Sequence, residues 1–239
     1  MSWPTLYALF DRAARPFYSP GTKDEPGTAS SALGGVADSV GKPVDGAAPE
    51  AVPAASNKYA EAVKKLVAHF KSKGTQYGHQ TEEVTLGGNT WTQRKKDFLT
   101  DDAFADCTKL VIKAMLDADK VDYTAGWETV TVPAFHDAKV SDISAVSGMT
   151  QVIGALVKAE KTTAIRPGEP KTGDVIFWGG HVAMVTDVGK TETDTLVSFA
   201  SMGVKSGANV YERIALEGKL RNDRIYGSGG FQGFWTPCH

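Results

Sequence analysis

Gly173–Val185 reads GDVIFWGGHVAMV, and this stretch decides the fold class that we expect. It contains two runs rich in apolar, β-branched and aromatic residues, separated by a glycine pair, which is the pattern of β-strands divided by a turn. Runs of similar character follow at 195–200, 209–214 and 230–235. The second half of the chain therefore predicts an antiparallel sheet that the last run closes.

The chain before this sheet has helical periodicity. An apolar stripe with i, i+3, i+4, i+7 spacing runs from Val63 to Phe70, after a capping Ser56 or Asn57 and before a stop at Gly74. This pattern predicts an amphipathic helix at the start of the folded domain.

Two further helices are predicted, one over about 103–118 and one over 148–160. The first has Thr100, Asp101 and Asp102 as candidate caps. Residues 84–92 indicate a hairpin or loop. Helices followed by an antiparallel sheet indicate an α+β domain, with N-terminal helices packed on a C-terminal sheet.

The N-terminal quarter of the chain differs in composition from the rest. Residues 3–18 have apolar side chains at roughly helical spacing, so we interpret 1–27 as an amphipathic segment. Residues 28–56 contain no aromatic residue and are dominated by Ala, Gly, Ser, Val and Pro, which predicts a linker. The folded domain is expected over 57–239.

Composition argues against several classes of protein. A net charge of −2 gives no support for nucleic-acid binding. The chain has no apolar run of about 18 residues, so no membrane span is predicted. Met1–Leu6 lacks the basic start and apolar core of a secretory signal. We therefore expect synthesis in the cytoplasm, and export by a dedicated machine if the protein acts elsewhere.

The chain has two cysteines, Cys107 and Cys238, and a disulfide between them would be an unusual crosslink for so large a domain. Cys107 is the better candidate nucleophile, because it lies near a helix start, where the helix dipole favours a thiolate. His181 begins an apolar strand after two glycines and is the candidate base. Attack requires the pKa of the thiol to fall towards neutrality.

These two blocks resemble the NlpC-type branch of the papain-like superfamily, the cell-wall amidases and endopeptidases. That family has Asp-Cys-Ser-Gly-Leu-Val around its nucleophile and Gly-Asp-Leu-(apolar)-Phe-Phe…Gly-His-Val-Gly-Ile around its base. This chain has DCTKLV at 106–111 and GDVIFW leading to GHVAM at 173–184. Thr108 and Lys109 replace the usual Ser-Gly, so the turn around the nucleophile is expected to differ.

The resemblance implies a fold in which the helix carries the thiol and the sheet carries the imidazole. It also implies cleavage of amide bonds in peptidoglycan stem peptides through a Cys107 thioester, with His181 as general base and acid and with no metal or cofactor. Contacts to the substrate are expected from Asp106, Thr108, Trp178, Gly179 and Gly180.

The third, orienting residue of the family lies on the next strand, often as histidine. Phe199 occupies that slot here and cannot accept the imidazole N–H. We therefore predict Ser201 as the third residue, with Ser198 as the alternative; otherwise the site works as a dyad. Tyr77 is too far upstream of Cys107 to be assigned to the family's tyrosine.

Other polar residues have simpler interpretations. His79 and His136 have no partner at metal-ligand spacing, so no metal site is predicted. Arg94-Lys95-Lys96 is interpreted as a solvated face, and Asp101-Asp102 as helix capping.

The first hypothesis is an interbacterial antagonism effector, a toxin loaded on a type VI or similar secretion apparatus and delivered to the target-cell periplasm, with an immunity protein that blocks its cleft. A phage-type lysin fits the same residues. So do a papain-like protease or acyltransferase on a substrate outside the wall, and an inactive papain-like binding module.

Overall fold

The computed structural model describes residues 57–86, 88–222 and 229–238. The predicted N-terminal segments, 1–27 and 28–56, lie outside the described residues. The helices are α1 (Lys58–Lys73), α2 (Cys107–Ala118), α3 (Val140–Ile143) and α4 (Val146–Lys158). The strands are β1 (Gln76–Tyr77), β2 (Thr81–Leu86), β3 (Asn89–Arg94), β4 (Phe104–Ala105), β5 (Thr131–Val132), β6 (Ala138–Lys139), β7 (Val175–Gly179), β8 (His181–Lys190), β9 (Thr195–Gly203), β10 (Gly207–Ala215) and β11 (Gly229–Trp235).

Helix α1 begins and ends where the sequence predicts. The Asn57 side chain accepts a hydrogen bond from the Tyr59 N–H at 2.9 Å, so it caps the helix. Gly74 ends the helix in the left-handed conformation, with φ 68°, which glycine adopts without a steric penalty. The predicted stripe from Val63 to Phe70 is buried.

Helix α2 begins at Cys107, later than predicted, and its cap is Asp106. The Asp106 Oδ1 atom accepts the Lys109 N–H at 2.8 Å. The prediction that Asp101 and Asp102 cap this helix is wrong, because their carboxylates bind other groups. Asp102 pairs with Lys113 at 3.2 Å and with His69 at 2.8 Å, and Asp101 accepts from the Gln80 amide at 2.9 Å.

Lys109 lies fully buried in the first turn of α2, where the family pattern has glycine. Its Nζ donates to Gln80 Oε1 at 3.0 Å, to the Phe104 carbonyl at 2.9 Å and to the Asp101 carbonyl. Burial lowers the pKa of Lys109 to about 8. The hydrogen bonds of the Lys109 side chain join the start of α2 to the segments that precede it.

The five longest strands of the second half form one antiparallel sheet, in the order β10-β9-β8-β7-β11. Strands β7 and β8 are joined at Gly179-Gly180, which places Trp178 opposite His181. Strand β11 pairs with β7, so the last apolar run completes the sheet as predicted. The register of β8 with β9 begins at Met184–Ala200, beyond the first residues of β8.

Both faces of the sheet are buried, which explains why its central strands are continuously apolar rather than alternating. One face packs against α1 and α2 through Val175, Phe177, Val182, Met184, Ala200 and Met202. The opposite face packs against Leu216 and Leu220 through Ile176, Trp178, Ala183, Val185, Val197, Phe199 and Phe234. The first of these packings brings the start of α2 to the start of β8.

The predicted α+β class is confirmed, and the predicted hairpin is present as β2–β3, with Leu86 paired to Asn89. Helix α4 lies within two residues of its predicted bounds. Both cysteines are free thiols, so the possible disulfide is not formed. Within 57–86, 88–222 and 229–238, no helix has the length and apolar character needed to cross a membrane.

Candidate active site

The candidate nucleophile, Cys107, is the first residue of α2 and is only 3% exposed. The backbone N–H groups of Val182 and Thr108 act to lower the pKa of its thiol, so both lie near the sulfur. Val182 follows His181 directly, so the fold brings the thiol to the start of the strand that carries the candidate base. As the first helical residue, Cys107 also has an N–H with no partner inside the helix.

The thiol is protonated at rest near neutral pH, contrary to the requirement derived from the sequence. Burial and the neighbouring charge of Asp106 raise the pKa of Cys107 to about 11, although the Val182 and Thr108 N–H groups and Arg94 oppose them. The helix start alone therefore does not produce a thiolate, because Asp106 places a negative charge beside the sulfur.

The candidate base, His181, lies at the start of β8, with its ring centroid 5.7 Å from that of Trp178. Its Nε2 is hydrogen-bonded to Ser201 Oγ at 2.7 Å. No hydrogen bond joins Cys107 and His181 in the described part of the chain, and Nδ1 forms none there either. Nδ1 is thus the ring nitrogen left to accept the proton of the thiol.

Burial lowers the pKa of His181 to about 4, against a smaller opposing effect of Asp106. The folded protein therefore favours neutral imidazole, and the unfolded chain takes up the proton first as the pH falls. The free energy of unfolding is expected to decrease by up to about 3 kcal/mol between roughly pH 6.5 and pH 4 on this account.

Urea unfolding of wild type and His181→Gln at pH 7 and at pH 4.5 measures this contribution. Both proteins lose stability at the lower pH as their carboxylates take up protons, but the wild type is expected to lose more. Identical losses in the two proteins would show that His181 is not buried in its neutral form.

The two serines predicted as a third residue have different surroundings. Ser201, on β9, is the one that contacts His181. Ser198 accepts a hydrogen bond from the Arg213 N–H at 3.1 Å instead, so the alternative to Ser201 is wrong. Phe199, which occupies the family's slot, stacks on Tyr211 in the core with ring centroids 5.1 Å apart.

Asp106 and Thr108 are not free to bind substrate, contrary to prediction. Both are buried, and the Thr108 hydroxyl donates to Asp106 Oδ1 at 2.8 Å. The other carboxylate oxygen of Asp106 lies 2.6 Å from Arg94 and 3.0 Å from His79. Burial acts to raise the pKa of Asp106, but His79, Arg94, the Lys109 N–H and Thr108 together hold that pKa below its usual value.

Trp178, another predicted substrate contact, is 1% exposed and packs in a cluster with Phe199 and Phe231. Gly179 and Gly180 form the turn beside His181. Gly180 is exposed and has φ 79°, a conformation that a side chain would strain. Of the predicted substrate contacts, Gly180 is the exposed one.

Tyr77 is a site residue that the sequence analysis rejected for its distance from Cys107. Strand β1 pairs in parallel with β4, with Tyr77 opposite Ala105, so the chain brings Tyr77 beside the nucleophile. Burial and the nearby Cys107 and Asp106 raise the pKa of Tyr77 to about 12. A two-residue parallel pairing has no sequence signature, so this placement was not predictable.

Arg94 is the second missed residue, and its assignment to a solvated face is wrong. Its guanidinium is 9% exposed and donates to Thr108 Oγ1 at 3.0 Å, besides its pairing with Asp106. It also donates to the carbonyls of His79 and Ser144. Arg94 therefore joins strand β3 to the start of the nucleophile helix.

Two grooves lie elsewhere on the molecule. One, of about 580 Å³, is lined by residues of α1 and α2 such as Lys58, His69 and Lys113, and the other, of about 570 Å³, by Glu82 and its neighbours. Neither is lined by Cys107 or His181. In the described ranges, no three His, Cys, Asp or Glu side chains are grouped to hold a metal ion.

Comparison of the chain with protein-family models, curated proteins and solved structures finds no match. The candidate site therefore rests on the geometry and on the residues of the chain itself. A buried thiol lies at a helix start, beside the strand that carries an imidazole, and a serine hydroxyl binds that imidazole.

Proposed function

We propose that this protein is a papain-like thiol hydrolase that cleaves amide bonds in peptidoglycan stem peptides. The observation that carries the proposal is the meeting of three elements at one point. The sulfur of Cys107, at the start of α2, lies near the Val182 N–H, and His181, the residue before Val182, is hydrogen-bonded to Ser201 on the next strand. The motifs DCTKLV and GHVAM supply these same residues.

In the proposed reaction the Cys107 sulfur attacks the carbonyl carbon of the amide while its proton passes to His181 Nδ1. The thiol is neutral at rest, so attack and proton transfer occur together rather than from a thiolate formed beforehand. The unpaired N–H of Cys107 faces the oxygen that becomes negative, as an oxyanion donor. Water then hydrolyses the Cys107 thioester and regenerates the thiol.

The wall substrate and the delivery route rest on the family resemblance together with the sequence. The role that we propose for a hydrolase of this kind is that of an effector, which a secretion apparatus delivers into a rival's periplasm. A cognate immunity protein and a component of that apparatus are then its protein partners. A phage lysin would use the same chemistry on the same substrate.

A second candidate is an inactive papain-like binding module. It is favoured by the missing hydrogen bond between Cys107 and His181, and by the burial that keeps both groups neutral. Such a module would bind stem peptides or a protein without cutting them.

Digestion of purified peptidoglycan with wild type and His181→Ala, followed by mass analysis of the soluble fragments, tests the proposal. We expect new peptide fragments with wild type and a loss of about 10²-fold or more in rate with the variant. The fragment masses identify the bond. Failure of wild type on walls with several stem-peptide types would contradict the wall substrate and favour the binding module.

A further inference from the structure

A second imidazole lies beside the nucleophile. Strand β1 runs parallel to β4, and the Gly78 N–H donates to the Ala105 carbonyl at 2.9 Å. His79 follows Gly78 in the chain, and Asp106 and Cys107 follow Ala105. The backbone pairing therefore carries His79 alongside the start of α2.

The His79 ring is held in place although its side chain is 63% exposed. Its Nδ1 lies 3.0 Å from Asp106 Oδ2, its ring packs edge-on against Tyr77 at 5.4 Å, and Arg94 binds its carbonyl. The charge of Arg94 keeps Asp106 ionised, and an ionised carboxylate only accepts hydrogen bonds. Nδ1 must therefore be the donor, which leaves Nε2 as the ring nitrogen that can act on a substrate.

A carboxylate bound to one ring nitrogen fixes the orientation of the imidazole and leaves the other nitrogen for proton transfer. His181 lacks this support, because its hydrogen-bond partner is the hydroxyl of Ser201. His181 is also largely buried, whereas the His79 side chain is 63% exposed. The two histidines beside Cys107 are thus suited to different steps.

We propose that His79 is a second catalytic residue, which donates a proton from Nε2 to the leaving amine and later accepts one from the attacking water. This inference rests on the proposed function and divides between two imidazoles the work that the family resemblance assigns to His181 alone. His181 then exchanges its proton only with the sulfur.

The protons balance over one cycle. In acylation the S–C bond forms and the C–N bond breaks; the thiol proton moves to His181, and the His79 imidazolium gives its proton to the amine nitrogen. In deacylation water adds to the thioester carbonyl and loses a proton to His79. The C–S bond then breaks, and His181 returns its proton to the sulfur, so that a carboxylic acid is released.

The test compares two substrates that share the acyl group cleaved in the wall digest, an alkyl amide and a p-nitrophenyl ester. The nitrophenolate leaving group needs no proton, so the ester acylates Cys107 without a general acid. The variant is His79→Gln. The matched control is His69→Gln, which removes another exposed imidazole paired with an aspartate, His69–Asp102 at 2.8 Å.

We expect His79→Gln to lower amide turnover by about 10²-fold or more. With the ester it should still release one equivalent of nitrophenolate in a burst close to the wild-type rate, and then turn over slowly, because deacylation lacks its base. His69→Gln should match wild type on both substrates.

Equal losses on the amide and in the ester burst would overturn the inference, since they would show a structural role for His79. Wild-type amide turnover in His79→Gln would overturn it as well, while leaving the proposed function intact. If wild type itself gives neither a burst nor amide turnover, the proposed function fails, and the inference fails with it.

Discussion

Cys107→Ala is expected to abolish amide cleavage, with a loss of at least about 10⁴-fold in rate. The substitution removes the only atom that forms a bond to the substrate in the proposed reaction. The sulfur lies within the core, so its removal is expected to cost little stability, about 1 kcal/mol. Rates of peptide release from peptidoglycan measure the loss, and urea unfolding measures the stability.

Cys238→Ala is the matched control, because Cys238 is the other free thiol and packs at the edge of the same core. It is expected to cleave like wild type. Substantial cleavage by Cys107→Ala would contradict the assignment of the nucleophile. Loss of cleavage in Cys238→Ala alone would show that Cys238 is the nucleophile instead.

Arg94→Met is expected to lower the free energy of unfolding by about 3–5 kcal/mol, because it leaves the ionised Asp106 buried without its counter-charge. The Asp106 carboxylate is 2% exposed and lies 2.6 Å from the guanidinium. Its bonds to His79, Thr108 and the Lys109 N–H remain, which places the loss towards the lower end of this range. Urea unfolding at pH 7 measures it.

Lys64→Met provides the comparison for this loss. Lys64 pairs with Glu61 at 3.3 Å, but both side chains are more than 40% exposed. Such a pair contributes little, so the free energy of unfolding should hardly change. If Arg94→Met were as stable as Lys64→Met, the Arg94–Asp106 pair would not be the buried contact that holds the start of α2.

The sheet and the first helix were predictable because their signals are local. GDVIFWGGHVAMV contains its own turn, and the stripe from Val63 to Phe70 lies between a capping residue and a glycine stop. The start of α2 was harder to predict, because four acidic or hydroxyl residues near it all resemble caps. Asp102 pairs with Lys113 and His69 instead, and Asp106 caps the helix.

At the site, the sequence predicted the residues on regular elements and missed those that tertiary contacts bring in. Cys107, His181 and Ser201 belong to the long helix and strands, and the structure brings them to one region. Arg94 has the sequence context of a surface cation, and its burial depends on a carboxylate from another element. Tyr77 and His79 reach the nucleophile through a strand pairing of two residues.

The most direct test of the account is whether cleavage passes through a thioester on Cys107. Peptidoglycan is digested with wild type, Cys107→Ala and Cys238→Ala in the presence of hydroxylamine, which converts a thioester to a hydroxamic acid. Fragment masses then show how each new end was formed. We expect hydroxamate ends beside the ordinary carboxylic acids with wild type and Cys238→Ala, and no fragments with Cys107→Ala. Fragments that carry carboxylic acid ends alone, or cleavage by Cys107→Ala, would contradict it.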